Sequence, residues 1–296
     1  MTSPAAHHAL LIFNPHSGRG RARALVQAVH KELRWFDGHI AIAETSGPGH
    51  ATDLARQAVA SGASVVFGMG GDGLLREIAT AMIGTSTTLG VLPAGTANVV
   101  AISLGVPLDP LHAARDLADA QVFDMDVGVC GNQVFLMVVS GGLDAAIMAS
   151  VDVDIKKRLG KSAVALEFFS TWLNYEFPTI RLIADGEQLE GTFAAVCNLP
   201  YYAGRYRLAP DLDLNDRVLG LVLFQGTSKT ATLSFLHDLT RATHISRSDV
   251  LYRRVQQVVF PPPQAAPFEV DGDLLTAAFP LQVSLAAEQL KVLRLP

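Results

Sequence analysis

Val65-Val66-Phe67-Gly68-Met69-Gly70-Gly71-Asp72-Gly73-Leu74-Leu75-Arg76-Glu77-Ile78 is the stretch whose reading decides the fold. Its apolar start predicts a short strand, the glycines around one acid predict a turn, and Leu74 to about Met82 predicts a helix. Glycine admits positive φ and lets a backbone approach a ligand closely. A helix start offers unbonded N–H groups and the positive end of the dipole. The turn is therefore a candidate phosphate cradle. Asp72 has two readings. It caps the helix beginning near Leu74, or it stands beside phosphates with a divalent cation between them, which is phosphoryl-transfer chemistry. Glu77 is either a solvated acid that suits the dipole or faces Asp72 and shares a metal or a hydrogen bond with it.

Similar units lie on either side. Ala9 to Phe13 predicts a strand that runs into Asn14-Pro15-His16-Ser17-Gly18-Arg19-Gly20 and a helix from about Ala22 to Leu33. Ile40 to Glu44 predicts a second strand, ending at Thr45 and followed by a helix over His50 to Ser61. Leu89 to Leu92 leads to Pro93-Ala94-Gly95-Thr96-Ala97-Asn98 and a helix ending at Gly105. In a parallel sheet such loops fall outside the strand C-termini, so they converge on one crevice. Asn14 and Ser17 offer hydrogen bonds to phosphate or ribose, and Gly18 permits close approach. Thr45 reaches a nucleotide or only forms a turn. Singly, each loop reads equally as an ordinary turn and cap.

After about Val122 the texture changes to strands in series, which implies an antiparallel, sandwich-like second domain. Phe123–Val129 and Val134–Val139 predict a hairpin about Gly131-Asn132, and Ile180–Ala184 and Thr192–Cys197 another about Asp185-Gly186-Glu187. Val250 to Phe260 reads as one strand, and Phe268-Glu269-Val270-Asp271-Gly272-Asp273 opens a last hairpin, returning through Leu281–Leu285 and Val292–Leu295. Helices are predicted over Asp144–Ser150, Lys156–Asn174 and Lys229–Thr243. Lys156, Lys157, Arg158 and Lys161 face acidic headgroups or solvent. Asp211, Asp213 and Asp216 hold a cation or form a polar loop.

Of 296 residues, 49% are hydrophobic and 17% charged, enough to bury a sizeable core. No run reaches the ~18 apolar residues that span a bilayer. Met1 to His8 lack the regions of a signal peptide, so the chain is expected to be cytoplasmic. A net charge of −5 excludes a global basic surface, and no nucleic-acid partner is expected. Cys130 and Cys197 lie in apolar, strand-like segments and are expected as buried thiols; no Cys/His pattern points to zinc.

Asn14-Pro15-x-Ser17-Gly18, Gly70-Gly71-Asp72-Gly73 and Leu92-Pro93-x-Gly95-Thr96-x-Asn98, in this order, resemble the diacylglycerol kinase catalytic family, which includes bacterial lipid kinases and the sphingosine and ceramide kinases. The likeness continues through Gly142-Leu143-Asp144-Ala145, Asn198-x-Pro200-Tyr201-Tyr202, Leu208-Ala209-Pro210 and Asp271-Gly272-Asp273. It implies a doubly wound α/β ATP-binding domain, residues 1–122 with 280–296, and a β-sandwich lipid domain, residues 123–279, with the active site in the cleft. It implies transfer of the ATP γ-phosphoryl group to a lipid hydroxyl with Mg²⁺. The lipid would be met at the membrane surface, by a chain seated peripherally at the inner face, with a homodimer as a candidate assembly. Asn14, Pro15, His16, Ser17, Gly18, Thr45, Gly70, Gly71, Asp72, Gly73, Glu77, Gly95 and Thr96 would serve ATP. Asp72 would act at the phosphates, Asp273 as general base with Asp271 beside it, and Asp213, Asp216 and the Val218 carbonyl would hold a structural Mg²⁺.

The chain departs from that pattern. Leu74 replaces the usual Thr, as in the sphingosine kinase branch. Asp273 replaces the commoner Glu and is one methylene shorter, which matters for positioned chemistry. Gly220 stands where the cation loop's second acid is usual. Asp271-Gly272 also reads as a plain type I′ turn. Gly68-x-Gly70-x-x-Gly73 fits a dinucleotide fingerprint, but no acid follows at the required distance in Leu89–Thr96. An NAD kinase shares the Gly-Gly-Asp-Gly loop. A nucleotide- or membrane-binding relative with impaired catalysis is the remaining alternative.

Overall fold

The computed structural model describes residues 8–150, 170–276 and 279–296. The chain divides into two units: the residues up to Val127 with Ala203–Arg205 and Ala286–Pro296, and Gly128–Tyr202 with Tyr206–Leu285.

In the first unit strands and helices alternate: β1 (His8–Phe13), α1 (Arg21–Glu32), β2 (His39–Glu44), α2 (His50–Ala60), β3 (Val65–Gly70), α3 (Asp72–Met82), β4 (Thr88–Pro93), α4 (Val99–Ser103), α5 (Pro110–Asp116) and β5 (Gln121–Met125). Its sheet has the order β2-β1-β3-β4, parallel throughout. The chain's last strand then joins β4 in parallel and β5 antiparallel. Both faces of such a sheet are covered, which is why β1, β3 and β4 are apolar runs without alternation. β1 has β2 on one side and β3 on the other, so the winding reverses there and the loops after β1 and β3 leave from adjacent strand ends. On α2, Ala51, Ala55 and Ala58 form the buried stripe, small enough for α3 to lie close.

The second unit holds β6 (Gly128–Cys130), β7 (Gln133–Phe135), β8 (Val138–Gly141), α6 (Leu143–Ser150), β9 (Ile180–Ala184), β10 (Glu187–Gly191), β11 (Phe193–Cys197), β12 (Tyr201–Tyr202), β13 (Tyr206–Arg207), β14 (Leu219–Phe224), α7 (Lys229–Thr240), β15 (Val250–Val255), β16 (Gln257–Phe260), β17 (Phe268–Val270), β18 (Asp273–Leu274) and β19 (Leu281–Leu285); β20 is Leu290–Arg294 of the first unit. Two six-stranded sheets, β10-β9-β16-β19-β6-β7 and β15-β14-β11-β8-β17-β18, enclose one core that includes Phe135, Val196, Leu221, Val258 and Phe268. Glycines make room for aromatic rings across the strands. Phe67 faces Gly90, Phe135 faces Gly128 and Phe268 faces Gly141, and a Cβ on each glycine would lie 2.4, 2.0 and 2.6 Å from that ring. Cys130 and Cys197 are free, buried thiols, and burial pushes the Cys130 thiol up to about 12.

Several expected strands are two. Phe123–Val129 breaks at Asp126-Val127, so β5 joins the first sheet while β6 forms the hairpin with β7. The partner of β9 is β10, not Thr192–Cys197, which belongs to the opposite sheet as β11. Val250–Phe260 bends at Gln256, where Asp185 accepts from the backbone N–H groups of Gln256 and Gln257, and passes from one sheet to the other. The return strand of the last hairpin is β18; Leu281–Leu285 and Leu290–Arg294 join two other sheets. The helix begun at Lys229 ends at Thr240. Lys156, Lys157, Arg158 and Lys161 lie outside the described residues; 170–174 are helical.

Candidate active site

The expected convergence of loops is present within the first unit. Asn14 N donates to Met69 O at 3.2 Å and Ala94 N to Gly70 O at 2.8 Å, so the loops after β1 and β4 are stitched to the two sides of the β3 terminus. Thr45, which is buried, donates its N–H to Phe13 O at 3.0 Å. Gly18 has φ 60°, and a Cβ there would lie 2.7 Å from Ala94 O. A Cβ on Gly95 would lie 2.4 Å from Gly71 Cα. The three loops thus meet backbone to backbone at positions 18, 71, 94 and 95. Inside the first loop, the Asn14 side chain accepts from His16 N at 2.9 Å and its carbonyl accepts from Ser17 N at 3.1 Å. Pro15 is buried; His16, Gly18 and Thr96 are exposed. Asn98, with φ 52°, clamps its loop by accepting from Gly95 N at 2.9 Å and donating to Gly95 O at 3.1 Å. The expectation of positive φ in Gly70-Gly71-Asp72-Gly73 is corrected: the described left-handed glycines include none of the three, and Gly71 has φ −95°. Gly70 and Gly71 serve close packing instead: a Cβ on the first would lie 2.5 Å from Leu74 Cδ2, and on the second 3.3 Å from Gly95 Cα.

Asp72 is the first residue of α3, with Gly71 as cap, so it does not cap a helix starting at Leu74. Its Oδ1 accepts from Val100 N at 3.0 Å, at the start of α4. Burial raises its pKa, and the N–H groups of Val100, Val99, Asp72 itself and Asn98 oppose that rise. Glu77 corrects both readings offered for it. It neither faces Asp72 nor stands in solvent: its Oε2 accepts from Ala51 N at 3.1 Å at the start of α2, and its carbonyl accepts from Thr52 Oγ1 at 2.8 Å. Helix α3 therefore carries two acids, each seated on the N-terminus of a neighbouring helix.

In the second unit Asp271 (φ 51°) and Gly272 (φ 90°) are the two central residues of a hairpin joining β17 to β18, the type I′ form. The Asp271 carboxylate accepts from Leu136 N at 2.7 Å, Met137 N at 2.9 Å and Val138 N at 3.0 Å. It is thereby committed to anchoring the turn to the start of β8. Asp273 follows the turn, exposed. Sequence reasoning missed a cluster beside it: Ser140, Asp144, Tyr202 and Glu269, with Ser140 and Glu269 fully buried. The signal was an acid between Phe268 and Val270 in a strand otherwise apolar.

Asp213 and Asp216 come together, with Asp213 N donating to Asp216 Oδ2 at 3.2 Å. The same Oδ2 pairs with the guanidinium of Arg254. Arg254 stands directly across the ladder from Gly220, where a Cβ would lie 2.9 Å from Ala209 Cβ and 3.0 Å from Leu212 Cδ1. No acid fits at 220, and a guanidinium bonded to Asp216 repels a second cation. Among the described residues no three His, Cys, Asp or Glu form a metal-holding group. These residues, with the Val218 carbonyl, do not fit a structural Mg²⁺. A chelator is expected to leave the thermal midpoint unchanged. Arg254→Met, which removes a half-exposed ion pair, is expected to lower it by roughly 2–4 °C, from a loss of about 1 kcal/mol. Stabilisation of the resting protein by added Mg²⁺, read by calorimetry, would contradict this. Asp72 does fit a cation: magnesium is commonly held by one or two carboxylates together with substrate phosphates.

Comparison with known proteins places the chain in a family. Residues 8–130 match the model of the diacylglycerol kinase catalytic domain, and residues 137–294 that of the YegS C-terminal NAD kinase beta sandwich-like domain. A protein of Chromohalobacter salexigens named "Probable lipid kinase YegS-like" is 32% identical over 241 residues, covering 79% of this chain and 78% of that one. A protein of Bacillus subtilis named diacylglycerol kinase is 25% identical over 270 residues, covering 90% and 89%. A crystal structure of a diacylglycerol kinase from Bacillus anthracis str. Sterne superposes with a TM-score of 0.78 at 22% identity over 99% of each chain, a likeness of fold. With a catalytic-domain match over the glycine loops, a second-domain match over more than half its length and a relative of this identity and coverage, the chain belongs to the diacylglycerol kinase catalytic-domain family.

Proposed function

We propose that this protein is a lipid kinase, transferring the γ-phosphoryl group of ATP to a hydroxyl group of a diacylglycerol- or sphingoid-like lipid. The observation that carries it is the backbone contact of three glycine loops at one sheet edge, with Asp72 held among them at the start of two helices. The N–H groups of the first turn of α3 and its dipole suit phosphate oxygens. Asn14, Ser17 and Thr96 line the same edge and are assigned to ATP with the glycines. When bound, Mg²⁺ supplies the positive charge that lets Asp72 stand beside a triphosphate. Asp72, raised toward its neutral form by burial, becomes a full carboxylate beside such a charge.

Asp273 is assigned as the base on the acceptor. The lipid oxygen bonds to the γ-phosphorus, the bridging P–O bond breaks, ADP leaves with that electron pair, and the hydroxyl proton passes to the Asp273 carboxylate. No described helix is long and apolar enough to cross a membrane, and we assign the lipid to a bilayer surface at which the protein docks. We also assign a homodimer, because among the described residues β5 ends its sheet, with Val122 58% exposed, an edge available for pairing. Sedimentation with lipid vesicles and sedimentation velocity read these two points.

The deciding experiment is incubation with labelled ATP, a total lipid extract and NAD together. Label in a lipid product is expected. Label on NAD instead would transfer the assignment to the NAD kinase reading that the second domain's description keeps open. Asp273→Asn is expected to lower kcat by about 10²- to 10⁴-fold while ATP affinity changes less than about threefold. Equal loss of both would make Asp273 structural.

A further inference from the structure

The second unit contains a buried polar cluster that the reaction outlined above does not use. Ser140 of β8 and Glu269 of β17 are paired directly across the antiparallel ladder, with exposures of 0% and 3%. Ser140 Oγ lies 2.6 Å from Glu269 Oε1 and in hydrogen-bond contact with Asp144 Oδ2 at the start of α6. Tyr202 Oη donates to that Oδ2 at 3.0 Å, and Ala145 N donates to Asp144 Oδ1 at 2.7 Å. Glu269 Oε2 accepts from Gly272 N, the second central residue of the turn that precedes Asp273.

Counting protons assigns the charges. A serine hydroxyl has one hydrogen, and a carboxylate has none to give. Ser140 Oγ touches two carboxyl groups, so two protons are needed on those two contacts. Ser140 supplies one, and one of the acids must carry the other. Burial raises the Asp144 carboxyl as well, but Asp144 has further donors on both oxygens, Tyr202 and Ala145, which favour its anion. Among the described residues Glu269 has one, Gly272, and its Oε1 has only Ser140 beside it. The proton therefore sits on Glu269 Oε1 and points to Ser140 Oγ, Ser140 donates to Asp144, and Asp144 holds the negative charge.

We propose that Glu269 is a positioning residue: its neutral carboxyl, sharing one proton with Asp144 through Ser140, holds the Gly272 turn and thereby sets the carboxylate of Asp273. The proposal rests on the assignment of Asp273 as base. Burial, and next the charge of Asp144, push the Glu269 carboxyl up to about 8, and Asp271 adds to the push. The other titratable groups acting on the pair, Cys197, Tyr202 and Tyr175, are weak acids that burial and these charges hold in their neutral forms. Loss of the Glu269 proton leaves two carboxylates facing one hydroxyl. The Gly272 N–H favours that anion, but the repulsion from Asp144 is the larger influence and displaces the Glu269 carboxylate together with the Gly272 turn it holds.

The test compares the wild type, Glu269→Gln and Glu269→Ala. A glutamine reproduces the neutral acid, its amide N–H donating to Ser140 and its oxygen accepting from Gly272. Wild-type kcat is expected to fall about tenfold per pH unit above a midpoint near about 8. Glu269→Ala is expected to lose about tenfold to hundredfold at pH 7, and Glu269→Gln to recover to within about threefold without the alkaline fall. A glutamine variant as impaired as the alanine, or one that keeps the wild-type alkaline limb, would overturn the proposal. A readout independent of turnover is the NMR shift of the Gly272 amide. It should titrate near about 8 in the wild type and stay flat in Glu269→Gln; a flat wild-type response overturns the shared proton. Should Asp273→Asn keep full activity, the assignment of the base fails, while the Gly272 titration still decides the proton count.

Discussion

Asp72→Asn is expected to lower kcat by about 10²- to 10⁴-fold while the protein stays folded. The substitution keeps shape and one acceptor: the amide oxygen still receives the Val100 N–H now held at 3.0 Å, so the start of α4 keeps its partner. The charge is what is lost. Burial is the leading influence on Asp72 and raises its pKa. In the resting protein the carboxylate is therefore a cost, offset only when a cation arrives. The sign for stability follows. A raised folded pKa means the contribution of the neutral form is present below the unfolded value and lost as pH rises through the folded one. The asparagine, neutral at every pH, should melt no lower than the wild type at pH 7, and the two should converge under acid. Thermal melts from pH 4 to 8 beside steady-state kinetics check both halves. An unchanged kcat would remove Asp72 from the chemistry; a collapsed melt would make it a scaffold residue.

What the sequence showed of this molecule is what local pattern determines. The strand–loop–helix units around Asn14, Gly70 and Gly95 were legible because apolar runs, glycines and helical periodicity lie within a few residues of each other, and the sheet rule then placed the loops together. Sheet switching was not legible. No glycine or proline interrupts Val250 to Phe260 although the chain changes sheets at Gln256, and what bends it is Asp185, far away in sequence. Partners of acids were hidden for the same reason. Glu77 lies about one turn from Asp72 in sequence, but its carboxylate meets Ala51, whose helix start comes within reach only once α2 and α3 lie side by side. Asp216 reads in the sequence as a metal ligand, whereas in the structure β15 brings Arg254 to it. Asp144 and Glu269, too, meet through tertiary structure alone.

Gly95→Ala is expected to lower kcat/KM for ATP by about 10²-fold, the size of effect that an ångström of misplacement produces in positioned chemistry. The added methyl would lie 2.4 Å from Gly71 Cα and 2.8 Å from Asn98 Oδ1, and the first of these is backbone that no rotamer change can move. The loop after β4 must therefore separate from the turn that carries Asp72, and the Asn98 clamp on residue 95 opens with it. Overpacking of this kind also costs about 1–3 kcal/mol of stability. Gly73→Ala is the informative companion. A Cβ at Gly73 meets no heavy atom within 4 Å, and the residue lies in the first turn of α3. Alanine there should stabilise the fold by about 0.4–1 kcal/mol. Nothing among the described residues requires glycine at 73, so a variant that melts higher but binds ATP more weakly would show that a ligand does, by approaching the backbone where the methyl stands. Isothermal titration with ATP and thermal melts on both variants separate the cases. Full ATP affinity in Gly73→Ala would move the phosphates off the start of α3, and full activity in Gly95→Ala would show that the contact between the two loops is dispensable.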